Sequence, residues 1–79
     1  MQDIGKNRLF VIQAETEPGE YREVRPFSKL SEAVAHINNR IGGSYKYTQV
    51  HHYIVHAGQF FFYHPATKEK YRLTMREIV

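Results

Sequence analysis

Five histidines, His36, His51, His52, His56 and His64, are the side chains best suited to ligate a metal or carry protons near neutral pH. Their spacing decides what they can do. On a strand, neighbouring His51 and His52 point to opposite faces. His52 and His56 then share a face but stand about 13 Å apart, too far to hold one ion. His51 opposite His64 would make half of a zinc site, and no third ligand is evident. With no Cys, thiolate sites, disulfides and cysteine nucleophiles all drop out together. The single Asp, Asp3, lies in the opening stretch, so no Asp-based triad can be assembled. Pairing His51 with Glu20 or Glu23 would suit a nuclease, yet nothing in the sequence brings them together. Ser28, Ser31 and Ser44 have capping and turn duties, and Gly42-Gly43 is a helix stop rather than a phosphate-cradling loop. No catalytic residue, metal or cofactor is expected, and the chain reads as a binding protein rather than an enzyme.

Length and charge point the same way. Seventy-nine residues allow one domain, with residues 1–7 expected to be flexible. The chain is 42% hydrophobic and 24% charged, an ordinary mixture for a globular domain. The longest stretch free of charged residues, Tyr47 to Thr67, carries four His, one Gly and a Pro, so no membrane span is expected. Met1 to Arg8 lacks the apolar stretch of a secretory signal, and a cytoplasmic location is expected. The net charge of +3 is compatible with a polyanion partner, but the Lys and Arg residues are scattered rather than gathered in a stripe or tail.

The elements follow from pattern. Leu9–Glu15 and Tyr21–Arg25 read as strands around Pro18-Gly19, a pair suited to a type II turn. A two-residue loop would put Ile12 opposite Arg25. A three-residue loop with a bulge would match Ile12 with Val24, which keeps the apolar residues on one side. Pro26 is expected to end the ladder. Ser28 is a suitable N-cap for a helix reaching Ile41, in which Leu30, Ala33, Val34, Ile37 and Ile41 form one apolar stripe. His36 flanks that stripe. Tyr45–Val55, rich in Tyr, Thr, Val and Ile, reads as a strand, followed by a tight turn at His56–Gln59. Gln59–Tyr63 and Lys70–Met75 close the chain as two more strands. The expected fold class is α+β, a two-layer β-β-α-β-β-β arrangement with one helix on a mainly antiparallel sheet.

Register then separates two faces. Closing the last turn with His64 opposite Glu69 pairs Phe62 with Tyr71, Phe60 with Leu73, Phe61 with Arg72 and Tyr63 with Lys70. Closing the preceding turn at Ala57-Gly58 pairs Tyr53 with Phe62 and His52 with Tyr63. Alternation places Tyr53, Val55, Phe60, Phe62, Tyr71, Leu73 and Met75 under the helix. The other face collects His52, Ile54, Phe61, Tyr63, Lys70 and Arg72. One helix covers one side of a sheet, so this second face meets solvent or a partner. Aromatics interspersed with cations suit protein hot spots, or bases stacked on a sheet platform. Lys and Arg stems lying over the rings are the plain structural alternative.

The order of these parts, from the Leu9–Glu15 hairpin through Ser28–Ile41 to the closing strands, resembles the layout of small anti-CRISPR proteins of phages and mobile elements, notably type I-F inhibitors. The resemblance covers most of the chain as architecture, without a diagnostic motif. It implies a stoichiometric inhibitor that binds a subunit of a CRISPR surveillance complex and blocks access to target or guide. The leading expectation is a protein-binding module acting through His52, Ile54, Phe61, Tyr63, Lys70 and Arg72. A nucleic-acid-binding domain using the same face is the alternative, and a homodimer pairing that face or the last strand is the third reading.

Overall fold

A computed structural model describes residues 8–77. The expected flexible stretch 1–7, with Asp3, lies outside the described residues. The chain folds as β1 (Arg8–Glu17), β2 (Glu20–Phe27), α1 (Leu30–His36) with a π-helical continuation (Ile37–Gly42), α2 (Tyr47–Ala57), β3 (Gln59–Tyr63) and β4 (Lys70–Glu77). The four strands form one antiparallel sheet in the order β2-β1-β4-β3. The α+β class and the single antiparallel sheet match the sequence reading. One element does not: the stretch read as a strand over Tyr45–Val55 is a second helix, so the order is β-β-α-α-β-β.

The first hairpin turns at Pro18-Gly19, where Gly19 takes φ 84° as a type II turn requires. Ile12 faces Arg25, not Val24. Val24 is the extra residue of a bulge and is 43% exposed. The apolar match is replaced by a cation–π contact, with the Arg25 guanidinium 5.1 Å from the centre of the Phe27 ring. Pairing also continues through Pro26 to Phe27 rather than ending there. β2 is an edge strand, where a missing N–H can face away from the ladder at no cost.

The helical stripe behaves as its spacing demands: Leu30, Ala33, Val34, Ile37 and Ile41 are all buried. Its start differs from expectation, because Lys29 is the N-cap and no side chain caps the helix, so Ser28 does not serve that role. Beyond His36 the helix widens into π geometry. Asn38 on that segment anchors the following loop with two hydrogen bonds. Its Nδ2 donates to the Tyr45 carbonyl and its Oδ1 accepts from the Tyr45 N–H, both at 3.0 Å. Glycine is needed twice here. Gly42 has φ 103°, and a Cβ on Gly43 would fall 2.7 Å from the Tyr45 ring.

In α2 the residues that reach the core are Val50 and Ile54, both fully buried, with Tyr47 packed against the same cluster. Positions 47, 50 and 54 share one helical face at i, i+3 and i+7. Gly58 ends the helix in the left-handed conformation at φ 78°, its N–H bonding to the Ile54 carbonyl at 3.0 Å. The glycine read as part of a tight hairpin is therefore a helix stop. No helix among the described residues is long and apolar enough to cross a membrane.

The closing hairpin follows the expected register: Phe60 faces Leu73, Phe61 faces Arg72, Phe62 faces Tyr71 and Tyr63 faces Lys70. Phe60, Phe62 and Leu73 are buried beneath the helices, with Tyr71 and Met75 packed at the margin. Tyr53 and Val55, assigned to that core by the strand reading, flank the buried face of α2 at 46% and 49% exposure, with the Tyr53 ring 5.5 Å from that of Phe60. β4 leaves this hairpin to pair with β1 at the centre of the sheet, which makes β3 the second edge strand.

Candidate functional site

The helices cover one side of the sheet and leave the other open. Alternation puts Phe61 and Tyr63 of β3 on the open side, along with Lys70, Arg72 and Arg76 of β4. Gln13 of β1 and Glu23 of β2 continue the row that begins with Phe61 and Arg72. Phe61 is 43% exposed and Tyr63 is 56% exposed. The Lys70 ammonium sits 5.0 Å from the centre of the Phe61 ring, so an aromatic pair and a cation share the outer end of this face.

The neighbouring cations are engaged within the protein. Arg72 donates through Nε to Gln13 Oε1 at 2.8 Å and lays its guanidinium over the Tyr21 ring, 4.0 Å from the centre. Gln13 is buried, and Arg72 satisfies the carbonyl oxygen of its side chain. Arg76 forms an ion pair with Glu23 across β1. Of the three cations β4 places on this face, only Lys70 therefore presents a charge without an ion pair or hydrogen bond among the described residues.

Two of the six expected contact residues are elsewhere. Ile54 is fully buried in the core, as the helical spacing of α2 requires. His52 is on the outer side of α2, its ring 4.5 Å from that of His56 and 5.8 Å from that of Tyr53. The strand reading set His52 and His56 far apart; the helix places them one turn apart. His51 and His64 do not oppose one another. His51 packs beside Tyr47, and His64 Nδ1 accepts the N–H groups of Ala66 and Thr67 at 3.1 and 3.2 Å in the closing turn. Among the described residues, no group of three or more His, Cys, Asp or Glu side chains is arranged to hold a metal.

Four residues of the face escaped sequence reasoning: Gln13, Tyr21, Glu23 and Arg76. Gln13 and Tyr21 hold Arg72 while Glu23 pairs with Arg76, and all of these contacts depend on β4 lying beside β1. A signal existed for Gln13: it is a polar residue ending the apolar run of Leu9–Ile12, on the strand most easily placed at the centre.

The open face also continues around the free edge of β3. A groove of about 410 Å³ runs between that edge and α2, with Tyr45, Gln49, Tyr53 and Phe61 in its walls. Phe61 thus belongs to both the face and the groove. No family model matches this sequence, and comparison with curated proteins and with solved structures finds no match.

Proposed function

We propose that this chain is a non-enzymatic protein-binding module that acts stoichiometrically in the cytoplasm through the β3 end of its open sheet face. One observation carries this reading: Phe61 and Tyr63 stand exposed on an edge strand, with the Lys70 ammonium beside them. Edge strands present unpaired backbone groups, and exposed aromatics on such an edge favour contact with another chain. Tyr is enriched among residues that dominate binding energy. Arg72 stands beside Phe61 on the same face, fixed by Gln13 and Tyr21. The chain is proposed as a phage or mobile-element inhibitor, and a subunit of a CRISPR surveillance complex as its partner. That partner class rests on the architectural resemblance alone, with the layout holding a second helix, Tyr47–Ala57, between the two hairpins.

A nucleic-acid role for the same face draws on the Lys70–Phe61 contact, a combination of cation and stacking ring. The engagement of Arg72 and Arg76 inside the protein weighs against it, since phosphate binding needs several free cations.

The test is capture from a bacterial lysate carrying a CRISPR system, using immobilised wild-type chain and a Phe61→Ala/Lys70→Glu variant. A surveillance-complex subunit retained by the wild type and lost with the variant is the expected result. Equal retention by both removes this surface from consideration.

A further inference from the structure

A second concavity lies at the opposite edge of the sheet, between β2, α1 and the π-helical segment. It is a shallow, solvent-open recess of about 380 Å³ lined by Arg25, Phe27, Glu32, His36, Asn39 and Arg40. Arg25 comes from β2, Glu32 and His36 from α1, and Asn39 and Arg40 from the π-helical turns. The Phe27 ring forms a wall on which Arg25 and His36 both lean, at 5.1 Å and 5.3 Å. Neither Arg25, Arg40 nor His36 has an ion pair or side-chain hydrogen bond among the described residues, and Glu32, although it lines the same recess, pairs with none of them.

Unpaired guanidinium groups converging on one recess repel each other and gain by sharing an anion. The field they create is already felt within the fold. His36 is held below its ordinary pKa of 6.5, first by burial and then by the charges of Arg25 and Arg40. Arg forks match tetrahedral oxyanions, whose several oxygens can each take a donor. The Asn39 amide and the imidazole supply further donors, while Phe27 leaves part of the wall apolar. The volume suits a small molecule rather than a continuous polymer track.

We propose that this recess binds a phosphate monoester, with the phosphate group taken by Arg25, Arg40, His36 and Asn39 and its organic part set against Phe27. Glu32 opposes the dianion and limits affinity. The site is independent of the β3 surface, because β2 and β3 are opposite edges of the sheet.

Phenyl phosphate is a suitable probe, added to the full-length chain while the His36 imidazole signal is followed by NMR. A saturable shift is expected, and the His36 titration midpoint should move upward as the bound dianion favours imidazolium. Arg25→Ala and Arg40→Ala should each weaken binding by about tenfold, and Glu32→Gln should strengthen it by severalfold. Inorganic phosphate binding as well as phenyl phosphate would identify free phosphate as the source of the same chemistry. Weaker binding of inorganic phosphate would identify the ester. The proposal is overturned if sodium chloride at equal ionic strength gives the same shift. It is also overturned if both arginine variants bind like wild type, or if a single-stranded oligonucleotide lacking terminal phosphates binds more tightly than the monoester.

Discussion

Arg72 on β4 and Gln13 on β1 are joined across the open face of the sheet by a 2.8 Å bond from the guanidinium Nε to the side-chain carbonyl oxygen. The bond is charge-assisted and its acceptor is buried, so removing either partner strands the other. Replacing Gln13 with Leu should lower stability by about 1–3 kcal/mol. A double-mutant cycle with Arg72→Met, followed by urea denaturation, should show a clear coupling energy between the two positions. Additive effects would mean that the bond contributes nothing.

The exposed aromatics should behave in the opposite way. Phe61 and Tyr63 are only partly covered, at 43% and 56% exposure, so each alanine substitution should cost clearly less than the ~3–5 kcal/mol of a buried Phe truncation. Their effect should fall on partner capture instead. A large drop in melting temperature with capture intact would identify the pair as structural cover.

Ile54 provides the sharpest contrast with the strand reading. Its side chain is fully buried between α2 and the sheet, and Ile54→Ala should cost about 2–5 kcal/mol. Val55→Ala, on the exposed side one residue later, should be close to neutral. Thermal unfolding of the two variants separates helix from strand, since the strand reading expects Val55 to be the core residue.

His36 links stability to pH. Burial and the neighbouring Arg25 and Arg40 hold its pKa in the folded state below the ordinary 6.5. The unfolded chain therefore binds the proton more readily, and stability from this group is lost as pH falls below about 6.5 through the lower folded value. Replacing His36 with Gln should flatten the stability profile in that window, measured by urea denaturation at several pH values. An unchanged slope would show that His36 does not carry the effect.

Much of the fold was legible because burial and period agreed. Leu30, Ala33, Val34, Ile37 and Ile41 have one helical spacing, and all are buried. The parity of Phe60 and Phe62 against Phe61 and Tyr63 was fixed by alternation and by His64 closing on Glu69, whose carbonyl accepts the His64 N–H at 2.9 Å. The second helix was not legible from propensity. Tyr47, Thr48, Val50, Tyr53, Ile54 and Val55 favour strands, yet tertiary burial of Val50 and Ile54 outweighed that preference. The overlooked signal was the 47, 50, 54 spacing followed by Gly58. That error carried His52 and Ile54 onto the wrong surface, while Phe61, Tyr63, Lys70 and Arg72 kept their places. The clamp on Arg72 needed the β1–β4 pairing, a contact between chain segments that no local pattern specifies.

Site-directed crosslinking tests the proposed binding surface most directly. A photoreactive phenylalanine analogue would replace Tyr63 in one variant and His52, on the outer side of α2, in another. Both positions are exposed, so both probes are accessible. A covalent adduct with a bacterial protein from position 63, and none from position 52, is the outcome expected of a β3-edge interface. An adduct formed at position 52 but not at 63 would contradict it.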